Sequence, residues 1–337
     1  MRETMMAATI IGLLILITAA CTTAPPPPLA VGSTAVPTPS GVAVGPAALA
    51  GSTPLGGRCA PLPDVAPTGP LPAPGHMPAG STMAKIYHQG YLVVGVDQTT
   101  EFFGYRDSAG NLVGFDDAVA QQIGEAIFGD VPHAIRLVAI TSAERIPDVR
   151  NGTVNLVADN MTITCDRLQQ VAFSSDYFNA GQTILVPSNS HVTSIGQLGG
   201  QKVCAAAGTT SVNEIGKQRP EPVPVAVPNW TDCLNLLQQG WVAAVSTDNS
   251  VLAGLAAQDP DTTLITRPFT CEPHGLAMSI APGARDFVRF VNGVLEQMRT
   301  DGEWQRLYNL WVAPHLGPQA PPPPQYGVAV EQTCPWL

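Results

Sequence analysis

Between residues 85 and 311 short β-branched runs alternate with stretches of helical periodicity, and this alternation limits the possible folds more than any other feature. Residues 91–96 (YLVVGV) read as a buried strand, and residues 106–115 (RDSAGNLVGF) hold a Gly-Asn turn signal between short strands. Over 118–128, Ala118, Ile123, Ala126 and Ile127 recur at mostly helical spacing, with Asp116 placed to cap them. A strand is expected at 135–140. Thr141 with Glu144 then has the form of a capping box ahead of a helix ending near Asn151-Gly152, and 156–158 is the next strand. The second half repeats the pattern, with strands at 184–186, 202–206, 223–227, 243–246 and 263–266, a capping box in Ser211 and Glu214, and a helix at 231–239. Phe287, Phe290, Val291, Val294, Leu295 and Met298 fall on one helical face. Such alternation predicts α/β sheets with helices on both faces. About 230 residues is long for a single sheet, so two lobes are expected.

The flanks of this body have another character. Arg2 and Glu3 are followed by an apolar run over 10–17 and by Thr18, Ala19 and Ala20 before Cys21, and a run this short reads as an export signal. Small residues before a cysteine resemble a bacterial lipobox, in which the thiol is acylated and becomes the new first residue; Thr18 stands where leucine is usual, and cleavage by an ordinary signal peptidase is the competing outcome. Residues 21–82 are rich in Pro, Ala, Gly, Ser and Thr with almost no charge, which reads as a tether, and 317–337 is a second Pro-rich segment. Apolar residues make up 45% of the chain, enough to bury a core and to exclude a disordered acidic chain. Sixteen basic residues against 26 acidic ones, with no basic cluster, argue against a nucleic-acid partner.

Seven cysteines are odd for an exported protein, and a lipidated Cys21 leaves six that can pair. Of the fifteen connectivities open to six cysteines, Cys204 with Cys233 is favoured because the two stand about one β-α-β unit apart. Cys59 and Cys334, in the Pro-rich arms, are expected to staple those arms to the body through Cys165 and Cys271. A metal site is the competing reading, but there is no CxxC, and only His274 lies beside a cysteine, Cys271. Signatures for catalytic serine, zinc and phosphate-binding loops are lacking, and the six histidines share no neighbourhood, so neither catalysis nor a cofactor is expected.

Three polar islands follow strands: 159–167 (DNMTITCDR), 206–211 (AAGTTS) and 245–248 (VSTD). In the first, Asp166 and Thr164 can simply cap a helix. The second places a Gly turn before a helix start, whose free N–H groups favour an anion. The third ends a strand on a carboxylate.

Taken in order, VGFDDAVAQQIGEAI, TITCDRLQQVAFSSDYF, KVCAAAGTTSVNEI, NWTDCLNLLQQG, AVSTDNSVL and RFVNGVLEQMRTDGEWQRLYNLW resemble the polar amino-acid-binding proteins of bacterial ABC importers, solute-binding protein family 3. The resemblance covers 85–311 and is strongest to lipidated actinobacterial glutamine- and glutamate-binding proteins. It implies a type II periplasmic-binding-protein fold of two α/β lobes joined by two crossing strands. Lobe one would be 85–179 plus 273–316 and lobe two 183–270, within a binding domain of 83–316. Carried over residue by residue, Arg167 grips the α-carboxylate of an amino acid, with Thr162 as a companion. Thr209 and Thr210 add donors from the other lobe, Asp248 accepts from the α-ammonium, and Asn160 receives it through a backbone carbonyl. Each charge of the zwitterion needs such a counter-charge, because desolvating it alone costs several kcal/mol. Phe115 and one of Phe102, Phe103 or Tyr105 resemble aromatics that cover the ligand's stem, core packing being the plainer reading. Asp97 or Asp159, if either reached the ligand side chain, would disfavour glutamate. The implied function is capture of a polar amino acid of the glutamine, glutamate, asparagine and aspartate group, with arginine-like ligands the second choice, outside the cytoplasm at the outer face of the membrane, for an ABC permease. A membrane sensor is the alternative partner, and a cyclohexadienyl dehydratase-like enzyme the less favoured reading.

Overall fold

Leu92, Val94 and Val96 are fully buried along the strand Leu92–Val96, which needs cover on both faces. It gets that cover as an interior strand of a five-stranded sheet in the computed structural model, which describes residues 38–54 and 65–327. The order across the sheet is Ile135–Ala139, Leu92–Val96, Leu156–Val157, Ala277–Met278 and Ala172–Phe173. The first three strands run parallel and the last two are paired antiparallel. A small hairpin sheet, Thr99–Thr100, Gly104–Arg106 and Leu112–Val113, stands beside it.

The second lobe is a six-stranded sheet in the order Ala43–Val44, Val223–Val227, Lys202–Ala206, Ala244–Asp248, Gln182–Pro187 and Thr262–Leu264. Each lobe buries its own apolar cluster. Ile123, Phe115, Trp304 and Leu307 belong to the first; Ile184, Val203, Val225 and Leu252 belong to the second. Phe178–Ala180 and Glu272–His274 pair antiparallel as the two strands that cross between lobes. Cys204, on a strand of the second sheet, is disulfide-bonded to Cys233 on the helix Trp230–Gln238. Cys165 and Cys271 are disulfide-bonded as well. The expected pairings through Cys59 and Cys334, and the lipidation at Cys21, fall outside the described residues.

Several local expectations are corrected. Asp116 does not cap the helix Phe115–Phe128 but lies inside its first turn. The N-cap is Gly114 at φ 147°, where a Cβ would stand 2.2 Å from Phe103 O. The Thr141 N–H donates to Glu144 Oε2 at 2.7 Å, but the helix begins only at Arg145. Ser211 and Glu214 form no box: the Ser211 hydroxyl is 2.9 Å from that of Thr247, and Glu214 takes Lys217 at 2.6 Å.

The Pro-rich flanks are packed where they are described. Ala43–Val44 is an edge strand against Val225–Ala226, and Ala48 is buried in the second lobe. Val65 joins the first lobe's core, where Asn292 Nδ2 donates to its carbonyl at 2.9 Å. The later tail is held by Arg299 Nε donating to Pro322 O and by Gln325 N–H donating to Ser175 Oγ. Low charge reads as a tether in sequence, yet a few buried apolar side chains and backbone bonds suffice to fix such a segment.

Candidate functional site

Strand ends at the sheet edges that face each other place the polar islands in one cleft. Asn160, Thr162 and Arg167 come from the first lobe, and Thr209, Thr210 and Asp248 from the second. Thr164 caps the short helix Cys165–Leu168, accepting from the Arg167 N–H, which fixes the start of the arginine side chain. Asp248 is the last residue of Ala244–Asp248 and the N-cap of Asn249–Gln258. The cavity between them encloses about 10 Å³, roughly the room for one water. The lobes are therefore closed on each other, and an amino acid can enter only if they part.

Hydrogen bonds tie the cleft shut. Thr162 and Thr210, one from each lobe, both donate to Glu272 Oε2 at 2.7 Å. Arg167 Nη2 donates to Gly208 O at 3.3 Å, and Ser250 Oγ donates to Asn160 Oδ1 at 3.2 Å. Arg167 Nη1 is held by Thr162 O at 2.7 Å, while its Nε has no partner. Asp248 Oδ2 is 2.7 Å from His274 Nε2, while Oδ1 has no partner.

The cost of burying these charges is visible in their acidities. Burial, reinforced by Arg145, pulls Arg167 down to about 9. Burial pushes Asp248 up to about 7, against the pull of Arg145, Arg167 and a side-chain hydrogen bond with Glu272, and pushes Glu272 up to about 7, with Asp248 adding to it. Asp159 is also raised, by burial, although Arg145 Nε lies 3.7 Å from its Oδ2. A guanidinium short of one partner and a carboxylate short of one partner, in a shared low-dielectric gap, are suited to an incoming carboxylate and ammonium.

The structure brings Arg167, Asp248, Asn160, Thr162, Thr209, Thr210 and Asp159 to the cleft but not the other candidates. Phe103 and Phe115 are buried in the first lobe's core, with Phe115 5.7 Å from the Trp304 ring and 5.9 Å from Phe103. Phe102 stacks on His315 at 3.5 Å, and Tyr105 meets the edge of Trp311. The Asp97 carboxylate caps its own turn, accepting from Gln98 N–H, Thr99 N–H and the Thr100 hydroxyl. Thr209 Oγ1 spends its proton on Ala206 O at 2.7 Å. Asn160, at φ 41°, donates its N–H to Asp116 Oδ2 at 2.9 Å.

Arg145, Glu272 and His274 are not among the binding candidates of the sequence, where His274 stands out only for its place beside Cys271. Arg145 lines the cavity, and its Nη1 donates to Asp159 O at 2.8 Å. Glu272 and His274 stand two apart on a crossing strand, so the pleat sends both toward the same side. That spacing, in a chain with few charges, was the available signal. Among the described residues no His, Cys, Asp or Glu group could hold a metal.

Residues 92–314 match the family model of the bacterial extracellular solute-binding proteins, family 3. A glutamine-binding protein of an ABC transporter in Bacillus subtilis is 36% identical over 233 residues, or 68% of this chain and 84% of that protein. The glutamate/aspartate import solute-binding protein of Salmonella typhimurium is 27% identical over 251 residues, or 72% and 82%. Among solved structures, the solute receptor for L-cysteine of Neisseria gonorrhoeae has a TM-score of 0.66 at 27% identity, covering 70% of this chain and 96% of that one. A mutant of ArgBP from T. maritima has 0.63 at 28%, covering 68% and 99%. These neighbours have the type II periplasmic-binding-protein fold, two α/β lobes joined by crossing strands.

Proposed function

The chain belongs to the bacterial extracellular solute-binding proteins, family 3, and on that premise we propose that it captures a polar amino acid of the glutamine, glutamate, asparagine and aspartate group for an ABC permease. The observation that carries this reading is the pairing of Arg167 and Asp248, one from each lobe, both buried in the same cleft and each with an unused polar atom. Arg167 takes the α-carboxylate and Asp248 the α-ammonium. A ligand that touches both must bridge the lobes, so its binding free energy favours closure. The permease then meets a surface that only the closed form presents. Names of the relatives support the ligand class, since they bind glutamine or import glutamate and aspartate.

The lipidated Cys21 would hold the protein at the outer face of the membrane. Fatty-acid labelling that marks the wild type and not Cys21→Ala supports the anchor; equal labelling removes it. For the site, calorimetric titration with the twenty amino acids is expected to show one polar group binding tightly. Arg167→Ala and Asp248→Ala should each weaken that ligand at least about 30-fold, because stripping one partner from a buried charge pair costs ~2 kcal/mol or more. Unchanged affinity in both variants overturns the assignment.

A further inference from the structure

His274 is fully buried on the crossing strand Glu272–His274, with the Phe178 ring 5.7 Å away. Its Nε2 lies 2.7 Å from Asp248 Oδ2, and its Nδ1 meets no partner. These two facts fix the tautomer. A proton on Nδ1 would be a buried donor without an acceptor and would leave the Nε2 lone pair facing a carboxylate oxygen. With the proton on Nε2, the donor is used and only a weak acceptor is left over. Burial also pulls the imidazole down to about 4, so it is neutral at neutral pH and carries a single N–H. That N–H engages one oxygen of Asp248, and the other, Oδ1, is the buried atom without a partner.

We propose that His274 is a positioning residue whose Nε2–H turns the Asp248 carboxylate so that Oδ1 faces the cleft and accepts the ligand ammonium. The inference rests on the amino-acid reading of the site. The charged groups that face the pair are Asp116 from the helix Phe115–Phe128, Glu272 from the same strand, and Arg145 and Arg167 from the first lobe. Asp116 and Glu272 draw a proton toward His274, the two arginines oppose it, and burial outweighs them all. Donation from Nε2–H favours the charged carboxylate, in the same direction as Arg145, Arg167 and a side-chain hydrogen bond with Glu272, which together work against the burial that pushes Asp248 up to about 7. Binding of an ammonium needs Asp248 charged, so affinity falls as pH drops through that range; it falls again toward pH 9, where Arg167 begins to lose its charge.

Asn and Gln at 274 separate positioning from bulk, because the glutamine amide can reach the place of Nε2 and the asparagine amide only that of Nδ1. The dissociation constant of the amino acid that binds the wild type is measured from pH 5.5 to 9 for His274→Gln and His274→Asn. The measurement is repeated in a Glu272→Gln background, which removes the neighbouring carboxylate that titrates in the same range. His274→Gln should keep the wild-type acid limb. His274→Asn should move that limb to higher pH by about one unit and weaken binding about fivefold at neutral pH and about tenfold at the acid end, the effect of losing one hydrogen bond to a charged group. Superimposed profiles for the two variants overturn the inference, whether both match the wild type or both shift. If Asp248→Ala also binds normally, the amino-acid site itself fails, a separate outcome.

Discussion

Asp117 shows how far burial can move a single side chain. It is 1% exposed, neither carboxylate oxygen has a hydrogen-bond partner, and burial together with Asp116, Asp97 and Asp159 pushes it up to about 8. A folded-state value above the unfolded one means that the folded chain holds the proton more tightly, so stability falls as pH rises from about 4 through 8. Asp117→Asn should therefore have no effect on the thermal midpoint below about pH 4, and an increasing stabilising effect up to about pH 8, after which it levels off. A constant difference across that range contradicts the assignment. The residues that were legible in sequence were those inside ordered motifs: Arg167, Thr162, Thr210 and Asp248 all reach the cleft. Of the two readings of Phe115, cover for a ligand and core packing, the structure supports core packing. An aromatic opening a helix can face the cleft or the core, and only the packing of Trp304 and Tyr308 against it decides. Glu272 escaped notice because its three hydroxyl donors, Thr162, Thr210 and Thr270, come from segments far apart in the chain.

At the scale of elements, parallel strands and amphipathic helices were readable because burial imposes their periodicity. Lys202–Ala206 and Val223–Val227 have the bounds their apolar runs predict. Caps were less readable, since a Ser/Thr with an acid three residues on can be diverted by tertiary partners, as Ser211 is by Thr247 and Glu214 by Lys217. The Cys204–Cys233 disulfide is a covalent tie within the second lobe, joining a strand to a helix across 29 residues. On a chain-entropy basis a loop of that length contributes roughly 3.6 kcal/mol. The Cys204→Ala/Cys233→Ala double variant should lower unfolding stability in denaturant by about that amount while leaving the ligand's stoichiometry at one. A loss below ~1 kcal/mol would show that the helix docks without the tie.

Across the whole molecule, closure depends on close approach at two places. A Cβ on Gly208 would stand 2.8 Å from Ala143 Cα, and one on Gly254 would stand 2.6 Å from Glu101 O, each contact running between lobes. Gly254 lies inside the helix Asn249–Gln258, where alanine is the better helix former by about 0.5–1 kcal/mol. Gly254→Ala should then keep or raise the thermal midpoint of the free protein and yet weaken ligand binding about five- to 150-fold, the range of a 1–3 kcal/mol overpacking cost. Equal affinity would mean that the closed form does not require this contact. The packed N-terminal segment was the least legible feature at this scale. It touches the second lobe through Ala43–Val44 and the first through Val65, and its composition alone gave no sign of either contact.

On the proposed function, Arg167 and Asp248 together neutralise the two charges carried on the α-carbon of one ligand. The most direct measurement removes those charges from the ligand instead of the protein. The amino acid that binds the wild type is compared by calorimetry with its α-carboxamide and with its N-acetyl derivative. Each derivative should lose binding by at least about 30-fold, again from the ~2 kcal/mol or more for an unpaired buried charge; a derivative that binds within about threefold of the parent would show that the two side chains do not share the zwitterion.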